Sequence, residues 1–126
     1  MRNKILIVDD EKSFTDMLRL NLEATGKYEV CVENNPHKVI AVAERFRPDL
    51  ILLDVIMPKK EGPDVAIDIQ ENRILRETPI VFLTATITKE EAETQGGLIG
   101  GRSFVAKPSS LRELLDSIEA NLAAKF

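Results

Sequence analysis

Short, unbroken apolar runs alternate along the chain with longer segments in which apolar residues recur at helical spacing. Three runs, at residues 5–8, 50–53 and 80–83, are too short for helices and contain no polar residue. Such runs are typical of strands that are covered on both faces. Weaker strands are predicted over residues 28–33 and 103–106, so the pattern predicts five strands.

Four of the segments between and after these strands have the apolar spacing of amphipathic helices. Pro63 suits the first turn of the third helix, and Ser109-Ser110 are N-cap candidates for the C-terminal helix. The residues predicted to face the core are Phe14, Met17, Leu18 and Leu22, then Val39, Val42, Ala43 and Phe46, then Val65, Ala66 and Ile69, and finally Leu111, Leu114, Leu115, Ile118 and Leu122.

Five strand-helix units in a row predict an α/β fold. Parallel strands need crossover helices, and such crossovers are right-handed, so the units build an open, mostly parallel sheet with helices on both faces. The fourth unit is weak because apolar spacing fails between residues 88 and 101, where glycine pairs flank Leu98-Ile99. A short helix or a loosely ordered connection is predicted there. We expect one domain over residues 1–126, with no effector domain in this chain.

Polar residues appear where four of the five apolar runs stop. Asp9 and Asp10 follow the first strand, Asp54 the third, Thr84 the fourth and Lys107 the fifth. The carboxyl ends of parallel strands lie along one edge of the sheet, where open α/β folds bind their ligands. These five side chains are therefore predicted to converge.

A site with three carboxylates favours a divalent cation, because the carboxylates repel one another unless a cation lies between them. Oxygen ligands without nearby histidine or cysteine favour Mg²⁺ or Mn²⁺ over zinc. A metal ion, a lysine and a threonine hydroxyl around one carboxylate can neutralise a transferring phosphoryl group. Asp54 is then predicted to be the nucleophile that forms an acyl phosphate.

The composition argues against several other classes of protein. The 17 Lys and Arg against 21 Asp and Glu give a net charge of −4, and no dense basic run is present, so direct binding to nucleic acid is not expected. No signal peptide or membrane span can be drawn, which predicts a cytoplasmic protein without a membrane partner. Cys31 is expected to be a buried, inert thiol.

Motifs that span the chain are Asp9-Asp10, Asp54-Val55-Ile56-Met57-Pro58 with Gly62, Thr84-Ala85, and Phe104-Val105-Ala106-Lys107-Pro108. In their order and spacing, these motifs resemble the receiver domain of two-component response regulators over the full chain. The resemblance implies a CheY-like, flavodoxin-like three-layer (βα)5 sandwich with a five-stranded parallel sheet in the order 2-1-3-4-5.

The resemblance also implies a role for each residue of the acidic site. Asp54 would accept a phosphoryl group from a sensor histidine kinase or a histidine phosphotransfer protein. Asp10 and Asp54 would bind Mg²⁺ (or Mn²⁺) directly, Asp9 through water and Ile56 through its backbone carbonyl. Because the Ile56 side chain has no group to orient an attacking water, we expect slow loss of the phosphoryl group.

The remaining roles implied by the resemblance concern the conformational change on phosphorylation and the surface that this change alters. Lys107 would pair with the phosphoryl group, Thr84 would hydrogen-bond to it, and Phe104 would turn inward as Thr84 moves. That change would alter the surface formed by the fourth helix, fifth strand and fifth helix. Such a domain is a signalling phosphoacceptor rather than an enzyme, and it catalyses only its own phosphorylation and dephosphorylation. Its partners would be a downstream protein or an effector domain missing from this chain, or a second copy in a phosphorylation-dependent homodimer.

Three alternatives stay open beside this interpretation. An aspartate-nucleophile, Mg²⁺-dependent phosphatase of the haloacid dehalogenase type would use a similar site, but Asp54-Val55-Ile56 lacks its usual second acid. A pseudo-receiver scaffold would not be phosphorylated, and the intact acid, hydroxyl and lysine set argues against it. A flavin-binding module would need a phosphate-cradling loop after the first strand, and none is present there.

Overall fold

The computed structural model describes residues 2–84, 98–99, 102–106 and 111–124. Elements in these ranges alternate between strand and helix, with a short 3-10 helix at Pro36–Lys38 before α2. They are β1 Asn3–Val8, α1 Lys12–Ala24, β2 Tyr28–Glu33, α2 Val39–Phe46, β3 Leu50–Asp54, α3 Gly62–Glu71, β4 Ile80–Thr84, β5 Leu98–Ile99, β6 Arg102–Ala106 and α4 Leu111–Ala124. The predicted fourth helix lies outside the described residues. None of the helices described is long and apolar enough to span a membrane.

The strands form one sheet in the order β2-β1-β3-β4-β6-β5. The first five strands in that order pair in parallel, which confirms the predicted order, with β6 as the fifth parallel strand. β5 is an additional strand, and its two residues pair antiparallel with Arg102 and Ser103 of β6. The glycine pairs in the sequence predict a loosely ordered connection here. Only Gly100 and Gly101 separate the two strands in the sequence, and a connection this short suits antiparallel pairing.

Each face of the sheet carries its own hydrophobic core, which explains the unbroken apolar runs. Alternate residues of a strand point to opposite faces, so a strand between two cores needs apolar side chains at every position. One core lies against α1 and α4, and the other against α2 and α3. From β1 and β3, the first core takes Ile5, Ile7, Leu50 and Leu52, and the second takes Leu6, Val8, Ile51 and Leu53.

The buried face of α1 differs from the prediction at one position. Leu18 and Leu22 are buried as expected, but Met17 is 50% exposed. Thr15 is fully buried instead, because Thr15, Leu18 and Leu22 lie three and four residues apart and form one stripe. A threonine among core residues needs a partner for its hydroxyl group, and the structure supplies one beside the acidic site.

Candidate functional site

The acidic site lies at the carboxyl edge of the sheet, where β1 and β3 run side by side. Asp9 and Asp10 follow the last residue of β1, and Asp54 is the last residue of β3. Val8 is paired with Leu53, so the adjacent strand ends bring the acids together. One carboxylate oxygen from each of the three aspartates lies within 4.8 Å of the other two.

The three aspartates differ in exposure. Asp9 is fully buried and Asp54 is 6% exposed, whereas Asp10 is exposed. Buried carboxylates need hydrogen-bond donors or positive charge around them. Asp9 Oδ1 accepts a hydrogen bond from the Glu11 backbone N–H at 2.9 Å. This bond fixes one oxygen of the Asp9 carboxylate at the start of α1.

The loop between β3 and α3 folds back against the end of β3. The Val55 backbone N–H donates to the Leu83 carbonyl at 3.0 Å, and the Val55 carbonyl accepts from the Gly62 N–H at 2.8 Å. Gly62 lies so close that an ideal Cβ there would be 2.2 Å from the Asp54 carbonyl oxygen. Met57 anchors the loop in the second core, while Ile56 is 52% exposed beside the acidic site.

The other predicted site residues lie on β4 and β6 or beyond them. Thr84 is the last residue of β4 and is paired with Ala106 of β6, while Phe104 is paired with Phe82. Because β4 lies between β3 and β6, the Thr84 backbone is at the same edge of the sheet as Asp54. Lys107 lies outside the described residues, and the roles of Thr84, Phe104 and Lys107 stay predictions.

Two further polar residues, Asn34 and Thr15, lie near the acidic site, and Asn34 contacts the turn that carries Asp9 and Asp10. Neither is among the predicted site residues. Asn34 donates hydrogen bonds to the Asp9 carbonyl and to the Thr15 hydroxyl. The only signal in the sequence was the Asn34-Asn35-Pro36 run, which predicts a turn. A turn signal does not say which backbone group an amide side chain will reach.

Cys31 is half-buried in β2 rather than fully buried as expected. Burial raises the pKa of the Cys31 thiol, and the negative charge of Glu33 raises it further. The thiolate, not the thiol, is the reactive form. The raised pKa therefore supports the expected inert thiol.

At neutral pH, we expect Cys31 in the folded protein to react with a disulfide reagent such as DTNB several-fold more slowly than in guanidinium-unfolded protein. The rate should climb as the pH rises past the ordinary thiol pKa of about 8.5, because the folded protein holds the thiol proton more tightly. Stopped-flow absorbance measures both rates. Equal rates for folded and unfolded protein at pH 7 would contradict this expectation.

A family model and known proteins match most of this chain. The family model described as response regulator receiver domain matches residues 5–119. The chain is 37% identical over 123 residues to the alkaline phosphatase synthesis transcriptional regulatory protein PhoP of Bacillus subtilis. The match covers 97% of the chain but 49% of PhoP, so the chain spans about half the length of that relative.

Solved structures show the same fold. The chemotaxis protein CheY4 of Vibrio cholerae is 28% identical, with a TM-score of 0.81 over 96% of this chain and 99% of CheY4. The signal receiver domain of a histidine kinase from Syntrophus aciditrophicus is 27% identical, with a TM-score of 0.79 over 97% and 91% of the two chains. With the family model covering most of its length, the chain belongs to the response regulator receiver domain family of two-component signal transduction.

Proposed function

We propose that Asp54 accepts a phosphoryl group from the phosphohistidine of a sensor histidine kinase or a histidine phosphotransfer protein. The observation that carries this proposal is the meeting of Asp9, Asp10 and Asp54 at the carboxyl edge of the sheet, with their carboxylate oxygens within 4.8 Å. Receiver domains are signalling modules that generally bind Mg²⁺ and interact with histidine kinases. The chain has the acidic cluster that such a module needs.

The donor set of the acidic cluster fits Mg²⁺ or Mn²⁺. It offers carboxylate oxygens with a formal charge of −3 and no histidine or cysteine, and hard divalent cations prefer such oxygen ligands. We propose that Asp10, Asp54 and the Ile56 carbonyl bind the ion directly, with Asp9 acting through water. A spread of 4.8 Å suits an ion that retains some of its water molecules. When bound, the ion supplies positive charge that offsets the charge of the phosphoryl oxygens.

The position of Asp54 suits it as a nucleophile. It ends a strand that is hydrogen-bonded on both sides, between β1 and β4, so its backbone is held in place. In the transfer, an Asp54 carboxylate oxygen bonds to phosphorus while the phosphorus–nitrogen bond of the donor breaks, and the imidazole leaves. Lys107 and Thr84 are proposed to contact the phosphoryl group, with Phe104 as the switch aromatic. The domain then catalyses only its own phosphorylation and dephosphorylation.

The surface that transmits the signal is proposed from what is typical of the family. Phosphorylation would change the surface formed by the fourth helix of the family, the fifth parallel strand (β6) and the C-terminal helix (α4). That surface would bind a downstream protein, an effector domain or a second copy of the chain. The single-domain boundary, the cytoplasmic location and the lack of nucleic-acid binding stay predictions.

Incubation with phosphoramidate and Mg²⁺ tests the proposal directly. Intact-protein mass spectrometry should show one phosphoryl group per chain, stable in acid and labile to base and hydroxylamine, and the adduct should not form in EDTA. Borohydride reduces an acyl phosphate to homoserine, so peptide mapping should then find homoserine at position 54. The absence of an adduct with phosphoramidate, acetyl phosphate and a phosphohistidine donor alike would contradict the proposal and favour a scaffold. Multiple turnover of phosphate esters would favour a phosphatase.

For Ile56→Asn, we expect the half-life of the phosphorylated protein to fall several-fold. The exposed Ile56 side chain beside Asp54 offers attacking water no hydrogen-bond partner, whereas an asparagine amide at this position can orient it. Loss of the phosphoryl group is followed by mass spectrometry after removal of the donor. Ile67→Asn is a matched control, because Ile67 is similarly exposed on α3. An unchanged half-life for Ile56→Asn would contradict the expectation.

A further inference from the structure

The turn from β1 to α1 carries Asp9 and Asp10, and α1 has no side-chain cap of its own. Its N-cap residue, Glu11, makes no capping hydrogen bond through its side chain. Besides the hydrogen bond from the Glu11 N–H to Asp9 Oδ1, two groups of the β2 end and the β2–α2 connection hold the turn. The Asp9 N–H donates to the Glu33 carbonyl at 3.3 Å, and Asn34 Nδ2 donates to the Asp9 carbonyl at 2.8 Å.

Asn34 is itself held by the buried hydroxyl of Thr15. Asn34 Nδ2 donates to Thr15 Oγ1 at 3.0 Å, and Thr15 Oγ1 donates to the Lys12 carbonyl at 3.0 Å. The hydroxyl thus donates one hydrogen bond and accepts another, which satisfies a polar group that is fully buried in the first core. The Asp9 carbonyl can only accept a hydrogen bond, so the nitrogen of the Asn34 amide must face it, which determines the orientation of the amide.

These hydrogen bonds connect three elements at one point. Asn34 lies in the β2–α2 connection, Thr15 in the first turns of α1, and Asp9 directly after β1. The amide joins the backbone of the acidic turn to the buried face of α1. Loss of the amide would leave the Asp9 carbonyl and the Thr15 hydroxyl to find other partners, and the turn would gain freedom at Asp10.

We propose that Asn34, supported by Thr15, is a positioning residue for the metal site. It fixes the backbone of the Asp9-Asp10 turn, and with it the direction in which the exposed Asp10 carboxylate points. This inference rests on the proposed function, because it assumes that the acidic cluster binds Mg²⁺. Side chains that orient metal ligands typically contribute 10- to 100-fold to metal affinity. Asn34 acts through the backbone, so we expect the lower end of that range.

Calorimetric titration of the unphosphorylated protein with Mg²⁺ tests this role; the chain contains no tryptophan to serve as a fluorescent reporter. Asn34→Ala should raise the Mg²⁺ dissociation constant about tenfold. The rate of phosphorylation by phosphoramidate should return to near the wild-type value at saturating Mg²⁺, because the nucleophile is intact. Thr15→Val, which keeps the side-chain shape, should raise the dissociation constant several-fold, and Thr15→Ser should leave it close to wild type.

Asn35→Ala is the matched control. Asn35 is the neighbouring amide, and its Oδ1 accepts a hydrogen bond from the His37 N–H at 3.0 Å. Its replacement should cost a similar amount of stability and leave Mg²⁺ affinity unchanged. Wild-type affinity in both Asn34→Ala and Thr15→Val, or equal weakening by Asn35→Ala, would overturn the positioning role and leave the proposed function intact. A wild-type protein that binds no Mg²⁺ would overturn both.

Discussion

Asp54→Asn should abolish the acyl phosphate formed with phosphoramidate and Mg²⁺. The amide nitrogen and oxygen of asparagine are too weakly nucleophilic to attack phosphorus, whereas the carboxylate oxygen of aspartate is a competent nucleophile. Asparagine has nearly the same size as aspartate, so the strand end should keep its shape. Mass spectrometry of the intact protein should show no phosphoryl group on the variant under conditions that saturate the wild type.

Asp49→Asn is the matched control for this substitution, because Asp49 immediately precedes the strand that Asp54 ends. Asp49 Oδ2 accepts a hydrogen bond from the Lys4 backbone N–H at 2.8 Å, and an asparagine oxygen can accept the same bond. The control should be phosphorylated like the wild type. If Asp54→Asn still forms a wild-type amount of hydroxylamine-labile adduct, another residue is the acceptor and the assignment of Asp54 is wrong.

Gly62→Ala should have the second-largest effect, a loss of about 3 kcal/mol in the free energy of unfolding. An ideal Cβ at Gly62 would lie 2.2 Å from the Asp54 carbonyl oxygen and 2.9 Å from Val55 Cα. Both contacts are with backbone atoms, so no side chain can rotate away and the loop itself must move. Urea denaturation followed by circular dichroism measures the loss, and the same displacement should slow phosphorylation of Asp54.

Gly26→Ala is the control for Gly62→Ala, because it adds the same methyl group at a position where there is space for it. Gly26 has a φ of 76° and would place a Cβ with no atom within 4 Å. Its cost is therefore only that of a left-handed backbone for alanine, about 1 kcal/mol. A loss for Gly62→Ala no larger than that for Gly26→Ala would show that the loop yields freely and would contradict the predicted clash.

The strands of this fold were predictable because their pattern is local. Each strand that the sequence predicted is present, with ends that agree to within two residues. The 28–33 strand coincides with β2, and 50–53 is extended only by Asp54. The antiparallel β5 could not be predicted, since two apolar residues between glycine pairs have no periodicity, and only pairing with β6 makes them a strand.

The acidic site was predictable for a different reason. Asp9, Asp10 and Asp54 each follow an apolar run, and parallel topology carries the ends of such runs to one edge. The contribution of Asn34 and Thr15 depends on how a loop folds over a helix, which no spacing rule describes. Met17 shows the same limit, because apolar spacing on α1 predicted a core residue where the packing of Leu18 and Leu22 leaves a half-exposed one.

The two-sided burial of β3 has a consequence for folding. In a strand with one solvent-exposed face, a register slip by one residue would turn the apolar side chains toward the solvent. In a strand between two cores, the same slip would leave the apolar side chains buried. The run 50–53 is bounded by Asp49 at one end and Asp54 at the other. A slip in either direction would draw a carboxylate in between the two cores, at a cost of several kcal/mol. Asp54, which we propose is phosphorylated, therefore also disfavours sheets in which β3 is paired in the wrong register while the chain folds.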